Sequence, residues 1–305
     1  MLQNKQVLYI FLIILQGLIF GIGNPMTKIA YESVTPFWCM AIRFVIAAGI
    51  LLLIAGKSTW QELKNTRPTN WLPASISMAL AYITSNLALK YTDVTIVGFL
   101  MSLSVIFTPL LALFILRRRY SIAILPTQLF AIVGLYLLCS SGNGFHFGWG
   151  EALAILCSLC MAGSLVWAED GLAYMSPLTI TVTQIVITAI LAVGGALLFE
   201  PTVVFSAITP TAWWVILYLA ILSSIVSYFL QNAALEHISS GTVALTQCFE
   251  PVFTAIAAFL ILSEQLTLIG WGGAVLILLC IVYGNYIKMR ILALSALGKP
   301  DAPPL

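Results

Sequence analysis

Charged side chains are scarce in this 305-residue chain, at 8% of the total, whereas an ordinary soluble domain carries about 25%. Hydrophobic residues make up 61%, so a water-soluble protein of this size would lack the polar groups to cover its surface. A bilayer core about 30 Å thick needs roughly 20 residues of helix to cross it. Apolar runs of that length recur along the chain. The composition therefore predicts an all-α polytopic membrane protein.

Histidine is also scarce, and the two that occur, His146 and His237, lie near predicted loops, which disfavours a metal site. All six cysteines fall within apolar runs, as small hydrophobic residues do, and this disfavours a disulfide framework. Cys157 and Cys160 have C-x-x-C spacing without the βαβ pattern of a thioredoxin-like site. The net charge of +2 leaves no basic surface for nucleic acid. We expect membrane lipids and a small-molecule substrate as partners, and no cofactor.

Hydropathy predicts ten transmembrane helices. They run near residues 6–31, 35–55, 70–90, 94–116, 122–140, 148–169, 177–199, 210–236, 240–262 and 267–288. Pro36, Pro177 and Pro210 stand at predicted helix starts, where a missing N–H costs nothing. Gly142, Asn143 and Gly144 predict a tight connection near the middle of the chain. The first apolar run has no A-x-A cleavage site, so we expect a retained span and not a signal peptide.

The distribution of lysine and arginine predicts the orientation. If the N-terminus is cytoplasmic, ten basic residues lie inside and two outside, which is a positive-inside bias. The inner ten are Lys5, Lys57, Lys64, Arg67, Arg117, Arg118, Arg119, Lys288, Arg290 and Lys299, and the outer two are Lys28 and Lys90. We expect a multi-pass inner-membrane protein with both termini in the cytoplasm, present as a monomer or a homodimer.

The chain also contains an internal repeat. A shift of 146 residues aligns 82–122 with 228–268 without a gap, and ten of the 41 positions are identical. The most specific part is a Tyr-x-x-x-Asn pair, in which Tyr82 and Asn86 align with Tyr228 and Asn232.

A second shift, of 141 residues, places Pro36 on Pro177 and Arg43 on Gln184. Each half thus holds five predicted helices, in residues 1–144 and 145–290, followed by a cytoplasmic tail at 291–305. Because an odd number of spans reverses the direction of entry, the halves are predicted to be inverted repeats. Secondary transporters are often built in this way, with the substrate site near the midplane.

Polar residues inside predicted spans are the candidates for a substrate pathway, because a polar group facing lipid would remain unpaired. Thr246, Glu250 and Thr254 recur every four residues and share one helical face. The candidate substrate-binding residues are Gln16, Asn24, Tyr82, Asn86, Trp167, Tyr228, Gln231, Asn232, Gln247 and Glu250. They predict a largely neutral, amphipathic cavity in which tyrosines offer an apolar ring with a polar tip. The alternative is that the amides and hydroxyls hold helices together.

Two charges lie well inside predicted spans. Arg43 could bind a substrate carboxylate, or it could be a structural residue that reaches backbone carbonyls or snorkels to the interface. Glu250 could carry a proton, because burial disfavours a charged carboxylate, or it could brace the helix that Pro251 interrupts. Glu151 and Glu264, at the ends of spans, are interpreted as structural.

Four segments occur in a characteristic order: FGIGNPMTK (20–28), PFWCMAIRF (36–44), GWGEALAILCSLCMAGSLVWA (148–168) and FEPVFTAIAAFLILSEQLT (249–267). They resemble, respectively, a W-G segment ending in lysine, a P-x(6)-R-F helix start, a G-[DE]-x-L…W-A start and an E-P-V…L-x-E-x-L-T signature. These are motifs of the drug/metabolite transporter superfamily, in particular its EamA-type members with two five-helix repeats. Phe20 replaces the usual tryptophan, and RRRYS (117–121) departs from the G-E-R that members often carry.

The resemblance implies ten helices around a central cavity and export of small metabolites, commonly amino acids or related compounds. We therefore expect a secondary transporter that works by alternating access, with protons as a possible coupling ion. Export of cationic drugs or of nucleosides is the alternative within this class. A membrane enzyme is disfavoured because neither H-E-x-x-H nor G-x-S-x-G occurs. A sensor without flux is disfavoured by the missing soluble domain.

Overall fold

The computed structural model describes residues 2–89, 91–92, 94–117, 125–139, 148–262 and 268–296, and all the regular structure within these ranges is helical. Several sequence predictions concern residues outside them. These are the connection at Gly142–Gly144, the structural role of Glu264, the departure at 118–121 from the family motif, and the tail beyond residue 296.

Thirteen α-helices occur in the described residues. In chain order they are α1 Leu2–Ala30, α2 Pro36–Asn65, α3 Leu72–Leu89, α4 Val94–Met101, α5 Ser104–Ile115, α6 Leu125–Cys139, α7 Trp149–Gly171, α8 Pro177–Phe199, α9 Pro210–Tyr218, α10 Ser227–Leu235, α11 Ser240–Gln247, α12 Phe249–Leu262 and α13 Leu268–Ala296. A π-helical segment, Leu219–Val226, joins α9 to α10 without a break.

Six helical segments in the described ranges are long and apolar enough to cross a bilayer. They are Gln6–Ala30, Pro36–Asn65, Trp149–Gly171, Pro177–Phe199, Pro210–Leu235 and Ser240–Ile261. Shorter apolar helices lie at Ser104–Ile115, Leu125–Leu137 and Leu268–Gly284. The chain is a multi-pass membrane protein.

The predicted proline starts coincide with observed helix starts. Pro36, Pro177 and Pro210 are the first residues of α2, α8 and α9. Two helices run past their predicted ends, α2 to Asn65 and α13 to Ala296. In α2 the backbone ladder continues into the polar residues that follow the apolar run, and in α13 it continues beyond Lys288 and Arg290. α13 therefore takes in the first six residues of the predicted tail.

α2 and α8 pack side by side in opposite directions, and each helix caps the other. The carboxylate of Glu200, at the end of α8, accepts hydrogen bonds of 3.0 Å from the backbone N–H groups of Phe37 and Trp38. The carboxylate of Glu62, near the end of α2, accepts from the backbone N–H of Ser176 at 2.9 Å and from its hydroxyl. A negative charge stabilises a helix N-terminus because of the helix dipole.

The largest apolar core lies where α2, α3 and α8 meet. Phe44 and Ile185 are completely buried there. Alanines on the facing sides of α2 and α8, including Ala48 and Ala192, let the two helix axes approach closely.

Three of the ten predicted spans are not continuous α-helices. The ninth is interrupted at Cys248, between α11 and α12. Pro251 explains this break, because it cannot donate to the carbonyl of Gln247 and its ring crowds that carbonyl. The fourth is interrupted at Ser102 and Leu103, between α4 and α5. The eighth contains the π-helical segment, which the sequence pattern did not predict.

Candidate functional site

Two tyrosines that the repeat aligns meet inside the bundle. The hydroxyl of Tyr228 donates to the hydroxyl of Tyr82 at 2.9 Å, and their ring centroids lie 6.5 Å apart. Phe20 packs edge-on against Tyr228, and Phe44 packs edge-on against Tyr82. Helices α1, α2, α3 and α10 thus build an aromatic cluster around two hydroxyl groups.

Arg43 lies beside this tyrosine pair. Its Nε donates to the Ser224 hydroxyl at 2.7 Å, and its guanidinium carbon lies 5.1 Å and 5.7 Å from the ring centroids of Phe44 and Tyr82. One of its terminal nitrogens is buried and has no hydrogen-bond partner within the described structure. A buried N–H group without an acceptor is costly. Arg43 therefore has one buried donor that is unsatisfied within the described structure.

Glu250 is in the first turn of α12, just after the break in the ninth span. Asn24 of α1 donates to the Glu250 carboxylate at 3.2 Å and to the Thr254 hydroxyl at 3.0 Å. Asn24 is exposed and Glu250 is only partly buried, although both lie within membrane-crossing segments. Polar side chains at this depth are costly when they face lipid.

Three glutamines from three helices form a closed cluster. The side-chain oxygen of Gln231 accepts from the amide nitrogens of Gln16 and Gln247, each at 2.9 Å. The Gln247 nitrogen also approaches the Gln16 oxygen at 3.4 Å. This cluster joins α1, α10 and α11 one turn before Glu250, so it fixes where α12 begins.

Asn232 and Asn86 form the second aligned pair. The amide nitrogen of Asn232, which is fully buried, donates to the Thr181 hydroxyl at 2.9 Å and to the Gln184 oxygen at 2.8 Å. The amide nitrogen of Asn86 donates to the Tyr82 carbonyl at 2.9 Å and approaches the sulfur of Met40 at 3.4 Å. Both asparagines thus tie helices together in the structure.

The oxygen atoms of these two asparagine side chains have a different environment. Neither Asn86 Oδ1 nor Asn232 Oδ1 has a hydrogen-bond partner among the described residues, and both atoms are buried. The hydroxyls of Ser223 and Ser227, in or next to the π-helical segment, are also buried and have no hydrogen-bond partner among the described residues. Sequence reasoning did not select these two serines. A test of polar periodicity restricted to the eighth span would find them.

Trp167 lies apart from this group. Its ring covers Gly163, one turn earlier in α7. In the described structure it packs on an apolar core that contains Ile13 and Leu165.

α1 and α12 approach each other closely at Gly21. A Cβ atom on Gly21 would stand 2.4 Å from Phe253 Cβ and 2.9 Å from the backbone nitrogen of Thr254. Such distances lie far inside van der Waals contact. Glycine is therefore required at this position, and it holds Asn24 against α12.

The fold defines a helical membrane protein with polar side chains in its interior. No cluster of potential metal ligands occurs among the described residues. The sequence pattern of the EamA-like transporter family matches twice, over residues 7–140 and 148–285. The chain belongs to the EamA-like transporter family, within the drug/metabolite transporters.

Similar proteins are named as transporters. An uncharacterized transporter of Archaeoglobus fulgidus is 27% identical over 272 residues, which cover 88% of this chain and 82% of that protein. The uncharacterized transporter YcxC of Bacillus subtilis is 26% identical over 298 residues, 93% of this chain and 95% of its own length. A crystal structure with 17% sequence identity superposes with a TM-score of 0.78, covering 94% of this chain and 99% of that one. This last likeness concerns the fold.

Proposed function

We propose that the chain is a secondary transporter that exports amino acids or related amphipathic metabolites across an inner membrane. The substrate binds between the Tyr82–Tyr228 pair, Arg43 and Glu250. The observation that carries the proposal is the buried, unpartnered nitrogen of Arg43 beside an aromatic pair that joins the two halves.

In transporters built from inverted repeats, the two halves are related by a two-fold axis in the membrane plane, and the contacts support such an axis at the tyrosine pair. Two residues that the axis exchanges can touch each other only next to it, and Tyr82 and Tyr228 are hydrogen-bonded. The 146-residue shift relates Asn86 to Asn232, and the 141-residue shift relates Met40 to Thr181. The contact of Asn86 with Met40 is therefore the repeat counterpart of the contact of Asn232 with Thr181.

Helix packing supports the same arrangement of ten spans as two inverted repeats, 1–144 and 145–290. α1 packs on α10 and α12, as α7 packs on α3 and α5. α2 pairs with α8, and α6 with α13, each helix with its counterpart in the other half. The breaks at Ser102 and Cys248 are also 146 residues apart, although Pro251 has no proline counterpart at Val105.

The charges favour a zwitterionic substrate. A substrate carboxylate binds the free Arg43 nitrogen and offers a second acceptor to the tyrosine hydroxyls. A substrate ammonium binds Glu250, whose carboxylate receives one described hydrogen bond, from Asn24. A purely cationic compound would match Glu250 and the aromatic rings, but it would meet the positive charge of Arg43.

Glu250 also gives a route for proton coupling. Substrate and proton compete for this carboxylate, so protonation from the side that faces an acidic compartment releases the ammonium group. The positive-inside bias supports a cytoplasmic position for both termini.

A substrate screen in proteoliposomes tests this proposal. Zwitterionic amino acids, nucleosides and cationic drugs are presented to the purified chain with and without a pH gradient. We expect saturable amino-acid flux that the gradient stimulates. Flux of cationic drugs with no amino-acid flux would contradict the zwitterion assignment, and turnover of a solute without any flux would indicate an enzyme.

Two substitutions test the proposed roles of Arg43 and Glu250 in binding the substrate. Arg43→Gln makes the position identical to its repeat counterpart, Gln184, and should raise the KM for zwitterions while sparing amines that lack a carboxylate. Glu250→Gln should abolish the response to the pH gradient. Glu236→Gln, at an exposed position paired with His237 at 3.8 Å, is the matched control and should change neither. Glu250→Gln with wild-type flux and pH profile would refute proton coupling through this residue.

A further inference from the structure

A groove separate from the proposed substrate site lies between α2 and α8, near the end of the bundle that holds Ser176. It encloses about 150 Å³ and is almost entirely apolar. We call it the α2–α8 groove; its lining includes Leu52, Gly56, Thr59 and Leu63 of α2, and Val182 and Val186 of α8. A cavity of about this volume can hold a benzene molecule. The α2–α8 groove therefore has room for about six carbons of an acyl chain.

One polar atom in the groove wall has no partner. Thr59 is 4% exposed, and its hydroxyl makes no hydrogen bond within the described structure. A helical threonine usually donates to the carbonyl four residues before it. Here that carbonyl, of Ala55, accepts from Ser58 at 2.9 Å instead. The Thr59 hydroxyl is thus left for a ligand that carries an acceptor at this depth.

The position of Thr59 along α2 matches the depth of the ester region of a bilayer. α2 starts at Pro36, so Thr59 lies about 35 Å along the helix, which is slightly more than the thickness of the hydrocarbon core. Trp60 and Trp71 border the groove at the same level, as aromatic residues do at a membrane interface.

Three cations are close in sequence to the part of α2 that lines the groove. Lys57, Lys64 and Arg67 are exposed, and the Lys64 ammonium lies 5.4 Å from the Trp60 ring centroid. Within the described residues none of the three pairs with a carboxylate. The nearby Glu62 carboxylate is occupied by Ser176.

We propose that the α2–α8 groove binds one anionic phospholipid from the surrounding bilayer. One acyl chain fills the groove, the Thr59 hydroxyl donates to an ester carbonyl, and the phosphate lies among Lys57, Lys64 and Arg67. The charge complementarity selects an anionic headgroup over a zwitterionic one. This site depends on the membrane location of α2 and α8 and not on the transported substrate.

Native mass spectrometry of the purified chain tests the site. Dioleoylphosphatidylglycerol and dioleoylphosphatidylcholine are titrated separately, and the retained lipid is counted. The wild type should retain one phosphatidylglycerol at a concentration at least tenfold below that needed for phosphatidylcholine. Each cation near a membrane surface contributes about a fivefold preference, so removing all three with Lys57→Gln, Lys64→Gln and Arg67→Gln should abolish the discrimination. Arg117→Gln, a basic residue on the same predicted side, is the matched control.

A second variant tests whether an acyl chain occupies the apolar interior of the α2–α8 groove. A Cβ on Gly56 would meet only the Leu52 side chain, at 3.9 Å, so Gly56→Leu fits the fold and fills the groove. It should weaken retention of both lipids by roughly tenfold, because part of the acyl chain would no longer be buried in the groove. Gly49→Leu, on the same helix with nothing within 4 Å, should retain lipid as the wild type does.

Three outcomes would overturn the proposal. Equal retention of the two lipids by the wild type would show that the groove does not select an anionic headgroup. A phosphatidylglycerol preference that survives the triple substitution would place recognition elsewhere. Unchanged retention by Gly56→Leu, with an unfolding temperature equal to that of the wild type, would show that no acyl chain occupies the groove.

Discussion

Substitution of Gly21 by alanine tests the contact that holds Asn24 against α12. The new Cβ would lie 2.4 Å from Phe253 Cβ and 2.9 Å from two backbone atoms of α12. Carbon atoms in contact stay about 3.5–4.0 Å apart, so α1 must move away by at least about 1 Å. Asn24 lies one turn further along α1, and its bonds to Glu250 and Thr254, at 3.2 Å and 3.0 Å, would then exceed hydrogen-bonding distance.

The expected cost has two parts. Overpacking in a close interface costs about 1–3 kcal/mol. Each hydrogen bond lost between membrane helices adds about 0.6 kcal/mol. We expect Gly21→Ala to destabilise the chain by about 2–4 kcal/mol in total, which lowers the unfolding temperature by roughly 5–10 °C. The assay is thermal unfolding of the purified chain in detergent, followed by tryptophan fluorescence.

Gly49→Ala is the matched control. A Cβ on Gly49 meets nothing within 4 Å, and the residue lies in the interior of α2. Alanine is favoured over glycine in a helix interior by about 0.5–1 kcal/mol, so this variant should unfold at or slightly above the wild-type temperature. Equal unfolding temperatures for Gly21→Ala and the wild type would refute the close approach of α1 and α12.

Two further substitutions test the polar contacts between helices. Asn232→Leu removes two hydrogen bonds and leaves the buried Gln184 oxygen without that donor, so it should destabilise the chain by about 1–3 kcal/mol. Asn86→Leu loses only a backbone contact and a sulfur contact and should destabilise it less in the same unfolding assay. A larger destabilisation by Asn86→Leu would contradict these contacts. Glu200→Gln removes a negative charge from the first turn of α2 and should cost about 0.3–1 kcal/mol, whereas the exposed Glu236→Gln should leave the unfolding temperature unchanged.

The sequence predicted the helical class and the proline-initiated helix starts, and it aligned Tyr82 with Tyr228 in the repeat without predicting their contact, because each of these results depends on a local or repeated signal. Composition determines whether a segment can cross a membrane, and proline restricts where a helix can begin. The break at Cys248 also follows from a local cause, since Pro251 removes a hydrogen bond within the same helix.

The partners of the polar residues were not predictable, because they depend on which helix faces which. The sequence treated Asn24 and Glu250 as separate candidates, although they are hydrogen-bonded across 226 residues. It left Arg43 with two alternatives, and only the position of Ser224 shows which of its nitrogens is engaged. The π-helical segment at Leu219–Val226 packs against α1 and α2, and the sequence pattern did not predict it.

The proposed site at the two-fold axis is tested most directly by cysteine accessibility. Tyr228→Cys is introduced into a variant without the six native cysteines and reconstituted into liposomes, where a membrane-impermeant maleimide is applied from either side. We expect labelling from both sides, at rates that the transported substrate lowers. Labelling from neither side, or from one side only and at the same rate with and without substrate, would contradict it.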